Sequence, residues 1–142
     1  MKNLRIEKAL RAIAAKHHGM LLPEAVVAEA KNPKHPLHSR FTWENTEAAH
    51  QWRLHEARNL IRVCVEVVSN DVDASPVFVS LSSDRSEGNG YRITAEVMQD
   101  SDLRDQLLKD ALADLNVFSR RYANLKELAE IFSAIRKVKQ AA

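Results

Sequence analysis

Apolar residues recur at helical spacing over the first third of the chain. Ile6, Ala9, Leu10, Ile13 and Ala14 predict a helix from Asn3 to His18, and Gly19 is its natural stop. Pro23 suits the first turn of a second, shorter helix over Glu24–Lys31, ended by Asn32-Pro33. The stretch "NPKHPLHSRFTW" then reads as an irregular connection pinned by Leu37, Phe41 and Trp43. Asn45 or Thr46 is placed to cap a third helix, 46–62, in which His50, Leu54, Ala57 and Ile61 form a core-facing stripe with Leu60 beside it.

At about residue 62 the period changes from 3.6 to 2. Val63, Val65 and Val67 fall on one face of a predicted strand, with Cys64, Glu66 and Val68 on the other. "SNDVDASP" is turn chemistry, "VFVSLSS" reads as a second, antiparallel strand, and Tyr91-Arg92-Ile93 adds a short third. From Thr94 the pattern is helical again, with Leu103, Leu107, Leu108, Ala111, Leu115 and Phe118 in one stripe. Asp100 and Asp102 are candidate cap residues. A last helix begins near Asn124 and carries Leu125, Leu128, Ile131, Phe132 and Ile135.

The expected fold class is therefore α+β: a mostly helical single domain, 1–142, with a small antiparallel sheet of two or three strands. Its parts are a basic helical half (1–62), the sheet (63–93) and the C-terminal helices (94–142). A length of 142 residues suits one domain core. With 45% apolar and 28% charged residues, wholesale disorder is excluded. The single cysteine, Cys64, leaves no intrachain disulfide and suits a reducing cytosol. No stretch reaches membrane-spanning length, so a cytoplasmic protein without membrane contact is expected.

The net charge of +2 is too small to mark a nucleic-acid binder, but its distribution is uneven. Residues 1–62 hold 11 Lys/Arg against 6 Asp/Glu and all 6 histidines, whereas 63–142 hold 10 basic against 13 acidic residues. A polyanion, if one binds, meets the N-terminal half.

The stretch "AHQWRLHEARNLIR" carries the candidate chemistry. His55-Glu56 resembles the start of a zinc-protease helix, but Asn59 stands where the second histidine is needed, and an amide is a poor zinc ligand. The other histidines show no recognised ligand spacing, so neither a metal nor any other cofactor is expected. On a separate helical face Gln51, His55, Arg58 and Arg62 share the offsets of the core stripe. Gln and Arg bond base edges in pairs, and Arg also clamps phosphates. The competing reading is an ordinary solvated or dimer-contacting face. The first three helices make a tri-helical unit, but the connection 32–45 is too long for a helix-turn-helix.

"SSDRSEGNGYR" sets Ser82, Ser83 and two glycines between Arg85 and Arg92, a composition able to cradle phosphate. It lacks the spacing of a P-loop or a dinucleotide fingerprint, and Gly88 and Gly90 are expected chiefly at positive φ. No serine stands in a nucleophile elbow, and Cys64 is expected to be buried and inert.

Several blocks together, "GMLLPEAVVAEAKNPKHPLHSRFTWENTEAAHQWRLHEARNLIR", "VFVSLSSDR", "GYR" and "LRDQLLKDALADL", resemble a family of small proteins encoded in bacteriophages and prophages. The resemblance spans roughly residues 19–130. It implies a phage context and the cytosol of a bacterial host, and it supplies no catalytic residues.

The leading expectation is a non-enzymatic accessory protein for genome handling or regulation. It would contact nucleic acid through Gln51, Arg53, His55, Arg58 and Arg62, supported by Arg5, Lys8 and Arg11. One rival is a protein-binding module, a virion-assembly component or an inhibitor of a host protein. Its surface would be built on exposed Trp43 and Trp52 with the C-terminal helices, and a homodimer is the expected assembly. The other rival is an enzyme acting on a phosphorylated small molecule through Arg85, Arg92 and the glycine loop.

Overall fold

The apolar stripes of the first three predicted helices meet one another. In a computed structural model, which describes residues 2–44, 46–67 and 74–142, these helices are α1 (Lys2–Lys16), α2 (Pro23–Ala30) and α3 (Glu47–Arg62). Leu10, Ile13 and Ala14 of α1, Val26 and Ala30 of α2, and Leu54, Ala57 and Ile61 of α3 fill a common core, closed by Leu37 and Phe41. Helix α1 ends as its sequence requires. His18 and Gly19 turn left-handed (φ 55° and 84°), and the Gly19 N–H donates to the Ala14 carbonyl at 2.8 Å. Thr46 caps α3, its hydroxyl accepting from the Ala49 N–H at 3.1 Å. Asn45, the alternative cap, lies outside the described residues.

The chain is α+β and mostly helical, and its strands form two small antiparallel sheets. Strand β2 (Val65–Val67) pairs with β3 (Ala74–Pro76), Val65 opposite Pro76. The expected start at Val63 gives way to the helix: Val63 is the C-cap of α3, and its N–H bonds the Asn59 carbonyl. Val68 and most of the expected turn "SNDVDASP", residues 69–73, lie outside the described residues. The second sheet has the order β1–β5–β4, where β1 is Met20–Leu21, β4 is Phe78–Val79 and β5 is Tyr91–Ile93. Val77 joins the two sheets, donating to the Cys64 carbonyl at 3.0 Å and accepting from the Thr94 N–H at 2.9 Å.

Strand β1 has no counterpart among the predicted strands, and "VFVSLSS" is extended for only two residues before a short helix, α4 (Ser82–Ser86). Gly88 does take a positive φ of 131°, with Asn89 following at 60°. Gly90 does not, which corrects the expectation for it. A Cβ there would run into the sulfur of Met20 on the neighbouring strand, so that flexible side chain would have to shift to accommodate one.

Helix α5 (Thr94–Gln99) completes the first of two compact units, 1–99. The second, 100–142, is an α-hairpin of α6 (Ser101–Arg121) and α7 (Ala129–Ala141). Asp100 is the N-cap of α6, accepting from the N–H groups of Asp102 and Leu103, both at 3.0 Å. Leu112 and Phe132 are buried within the hairpin, and Phe118 meets Phe132 edge-on at 6.4 Å between ring centroids. Among the described residues no helix is long and apolar enough to cross a membrane.

Candidate anion-binding site on the third helix

Arg58 and Arg62 stand one helical turn apart on α3, so their side chains leave the same face. Across from them lies the segment between β4 and β5. The two faces enclose a cavity of about 350 Å³ lined by Arg58, Arg62, Ser80, Arg85, Asn89 and Tyr91. The Arg85 Nη1 donates to the Ser80 carbonyl at 2.8 Å, which braces its guanidinium and leaves its other N–H donors unassigned. Neither Arg58 nor Arg62 is in an ion pair among the described residues. Arg58 and Asn89 also line a second recess of about 390 Å³, whose remaining walls include apolar Leu22, Pro23 and Leu54 and the carboxylates Glu24 and Glu87.

The other expected contact residues divide between free and committed groups. Gln51 and His55 are exposed along the same face of α3. Gln51 reaches Glu47 at 3.5 Å, and the His55 Nε2 is 3.1 Å from the Asn59 amide nitrogen. The residue in the second-histidine position of the zinc motif is thus an amide bonded to the first histidine. Among the described residues no three His, Cys, Asp or Glu side chains cluster as a metal site would require.

Arg53 faces the other way. Its Nη1 donates to the carbonyls of Thr42 (3.1 Å) and Glu44 (2.7 Å), and its guanidinium lies 5.5 Å from the Trp43 ring centroid. It is a staple for the long connection, helped by Glu56, whose carboxylate accepts from the Thr42 N–H and hydroxyl. On α1, Arg5 and Lys8 are exposed, whereas Arg11 pairs with Glu7 at 2.9 Å. None of these three lines the arginine cavity.

Arg92, the expected partner of Arg85, is taken up elsewhere. Its Nε and Nη2 clasp both oxygens of Asp84, a carboxylate only 4% exposed. Trp43 is not the exposed aromatic of the protein-binding reading. Its ring stacks on His38 at 4.9 Å, and its Nε1 donates to the His38 carbonyl at 2.9 Å. Trp52 is exposed, with its Nε1 on Glu56. Trp43, His38, His50, Arg53 and Lys31 border a further cavity of about 510 Å³ on the α2–α3 side.

Burial pushes the Cys64 thiol up to about 11, with a smaller push from Glu7, so it stays protonated and unreactive at neutral pH. The Lys16 ammonium, 2.9 Å from Glu29, holds that carboxyl below the usual range and ties α1 to α2.

Sequence reasoning reached Arg58 and Arg62 through helical spacing and flagged Arg85 in a separate phosphate-cradle motif. It did not join them, and it missed Ser80, Asn89 and Tyr91 as lining groups. The pairing of β4 with β5 gathers Ser80, Arg85, Asn89 and Tyr91, and tertiary packing sets them across from Arg58 and Arg62; no spacing rule reports either. The chain matches no family model, and no curated protein or solved structure shows significant similarity to it.

Proposed function

We propose that this protein contacts nucleic acid, without catalysing a reaction, through the α3 face that ends in Arg58 and Arg62. The observation that carries this reading is the meeting of Arg58, Arg62 and Arg85 around one cavity, with none of the three in an ion pair among the described residues. Three guanidinium groups around a concave, hydroxyl- and amide-bearing surface suit a phosphodiester. The exposed Gln51 and His55 extend the face along the helix, where base edges or further phosphates are in reach. Genome handling or regulation in a phage or prophage is the role such a face would serve.

Fluorescence anisotropy with labelled single- and double-stranded DNA and RNA tests the proposal. Binding at low salt should weaken linearly in log[salt], and an Arg58→Ala/Arg62→Ala variant with unchanged circular dichroism should show a shallower slope. Absence of binding to all four probes at low salt overturns it.

A second reading rests on the concavity itself. A cavity of about 350 Å³ falls within the size range of small-molecule sites, so a phosphorylated small molecule would be held by the same three arginines. Inorganic phosphate or a mononucleotide binding where no oligonucleotide does would select that reading.

A further inference from the structure

The arginine cavity has a neighbour. Arg58 and Asn89 line both it and the recess of about 390 Å³ between the start of α2, the middle of α3 and the turn after α4. The two hollows thus share one guanidinium and one amide, but their chemistry differs. The cavity collects three guanidinium groups with the hydroxyls of Ser80 and Tyr91, and none of its described lining residues is a carboxylate. The recess combines buried Pro23 and Leu54 and half-buried Leu22 with two exposed carboxylates, Glu24 and Glu87. Neither carboxylate is in an ion pair among the described residues, although Arg58 lines the same recess.

That difference decides which part of a nucleotide each hollow can take. Two ionised glutamates repel a phosphate, so the backbone that suits the cavity is turned away from the recess. What remains of a nucleotide is its base, with apolar faces for Leu22, Pro23 and Leu54 and hydrogen-bonding edges for the polar walls. Ionised carboxylates only accept, the Arg58 guanidinium only donates, and the Asn89 amide does both. A base that answers all three needs a donor edge and an acceptor edge. Guanine has both, with adjacent N1–H and N2–H donors that match a carboxylate and the O6 and N7 acceptors that match an arginine. Cytosine and adenine each offer one amino group beside a ring-nitrogen acceptor, and thymine a single N–H between two carbonyls.

Resting on the nucleic-acid reading above, we infer that the recess receives one base of the strand whose phosphate lies on Arg58, Arg62 and Arg85, with guanine preferred. Glu24 or Glu87 accepts from its donor edge, and Arg58 or Asn89 meets O6 and N7. The recess falls within the size range of small-ligand sites. The ligand is then a single strand, because a base within a duplex has its pairing edge occupied and reaches a recess only by leaving the stack.

Fluorescence anisotropy of the full chain tests this with a short labelled thymidine strand and the same strand carrying one central guanine. The guanine strand should bind about tenfold more tightly at equal salt, the worth of one good paired contact to a base edge. Hypoxanthine in place of guanine, which lacks the 2-amino group, should fall between the two. Annealing the guanine strand to its complement should weaken binding, although the duplex carries the denser phosphate charge. Glu24→Ala/Glu87→Ala, at exposed positions and with unchanged circular dichroism, should bring the guanine and thymine strands to equal affinity while both still weaken with salt. Failure to bind any of these strands removes the arginine reading and this one together. Equal affinity of wild type for the two strands, a duplex bound as tightly as the single strand, or a guanine preference that survives the double variant overturns the base recess alone and leaves the arginine contact standing.

Discussion

Arg92 grips Asp84 through two parallel hydrogen bonds, Nε to Oδ2 at 2.7 Å and Nη2 to Oδ1 at 2.8 Å. The Asp84 side chain is 4% exposed and that of Arg92 32%. The pair ties α4 to β5 and so fixes the segment that carries Arg85 and Asn89. The two partners are not equivalent on removal. Arg92→Ala strands a carboxylate away from water and should cost about 2–4 kcal/mol, toward the lower part of the buried-pair range because the arginine is partly solvated. Asp84→Asn leaves a guanidinium that can turn toward solvent and should cost about 1–2 kcal/mol. Urea unfolding of the two variants checks the order, and equal losses would show that burial does not distinguish the partners.

Arg53 acts on the fold rather than on a ligand. Its two bonds to the Thr42 and Glu44 carbonyls and its place over Trp43 hold residues 42–44 of the connection against α3. Arg53→Ala should cost about 1–3 kcal/mol, since it frees two carbonyls and uncovers the indole. The near-ultraviolet circular dichroism of Trp43 should weaken. The salt slope of nucleic-acid binding should stay at its wild-type value, whereas a slope change as large as that of Arg58→Ala would return Arg53 to the contact face.

Cys64 is 2% exposed, and its thiol is raised from an ordinary value of 9.0 to about 11. A raised thiol pKa favours the protonated form in the folded state. The stabilisation is fully present below the unfolded value and is lost as pH climbs from about 9 through about 11, at roughly 1.4 kcal/mol per unit. Wild type should therefore lose about 2–3 kcal/mol more than Cys64→Ala across that window. Alkylation at neutral pH should wait on unfolding, and rapid modification of the native protein would contradict the burial.

The helices were legible because each carries a 3.6-residue stripe and a chemical terminus: Gly19 after α1, Pro23 opening α2, Thr46 before α3 and Asp100 before α6. Two-residue strands carry no period, so Met20–Leu21 was invisible until Tyr91 and Arg92 paired with it some seventy residues downstream. "VFVSLSS" alternates as a strand does, yet local bonds of α4 capture its end, the Arg85 N–H donating to the Leu81 carbonyl at 3.0 Å. The site was legible by halves. Spacing on one helix gives Arg58 and Arg62, but whether an arginine points at solvent, a carbonyl or a carboxylate depends on partners brought by tertiary pairing. For that reason Arg92 is spent on a carboxylate and Arg53 on two carbonyls and an indole, whereas Arg85, braced on the Ser80 carbonyl, lines the cavity with Arg58 and Arg62, so the three have different fates.

Those different fates make the nucleic-acid reading sharper than a count of positive charge. Each phosphate neutralised contributes about 0.9 to the log–log salt slope on duplex DNA and about 0.7 on single strands. If the Arg58–Arg62–Arg85 cavity holds phosphate, Arg85→Ala should lower the slope by about one such step, although Arg85 lies outside the basic N-terminal half. Arg11→Ala, which removes an arginine already paired with Glu7, should leave the slope unchanged within error. Were the binding diffuse attraction to the basic half, the two substitutions would rank the other way, because Arg11 belongs to the +5 segment and Arg85 to the −3 segment. Salt titrations of these two single variants against the same oligonucleotide decide between a built site and general charge.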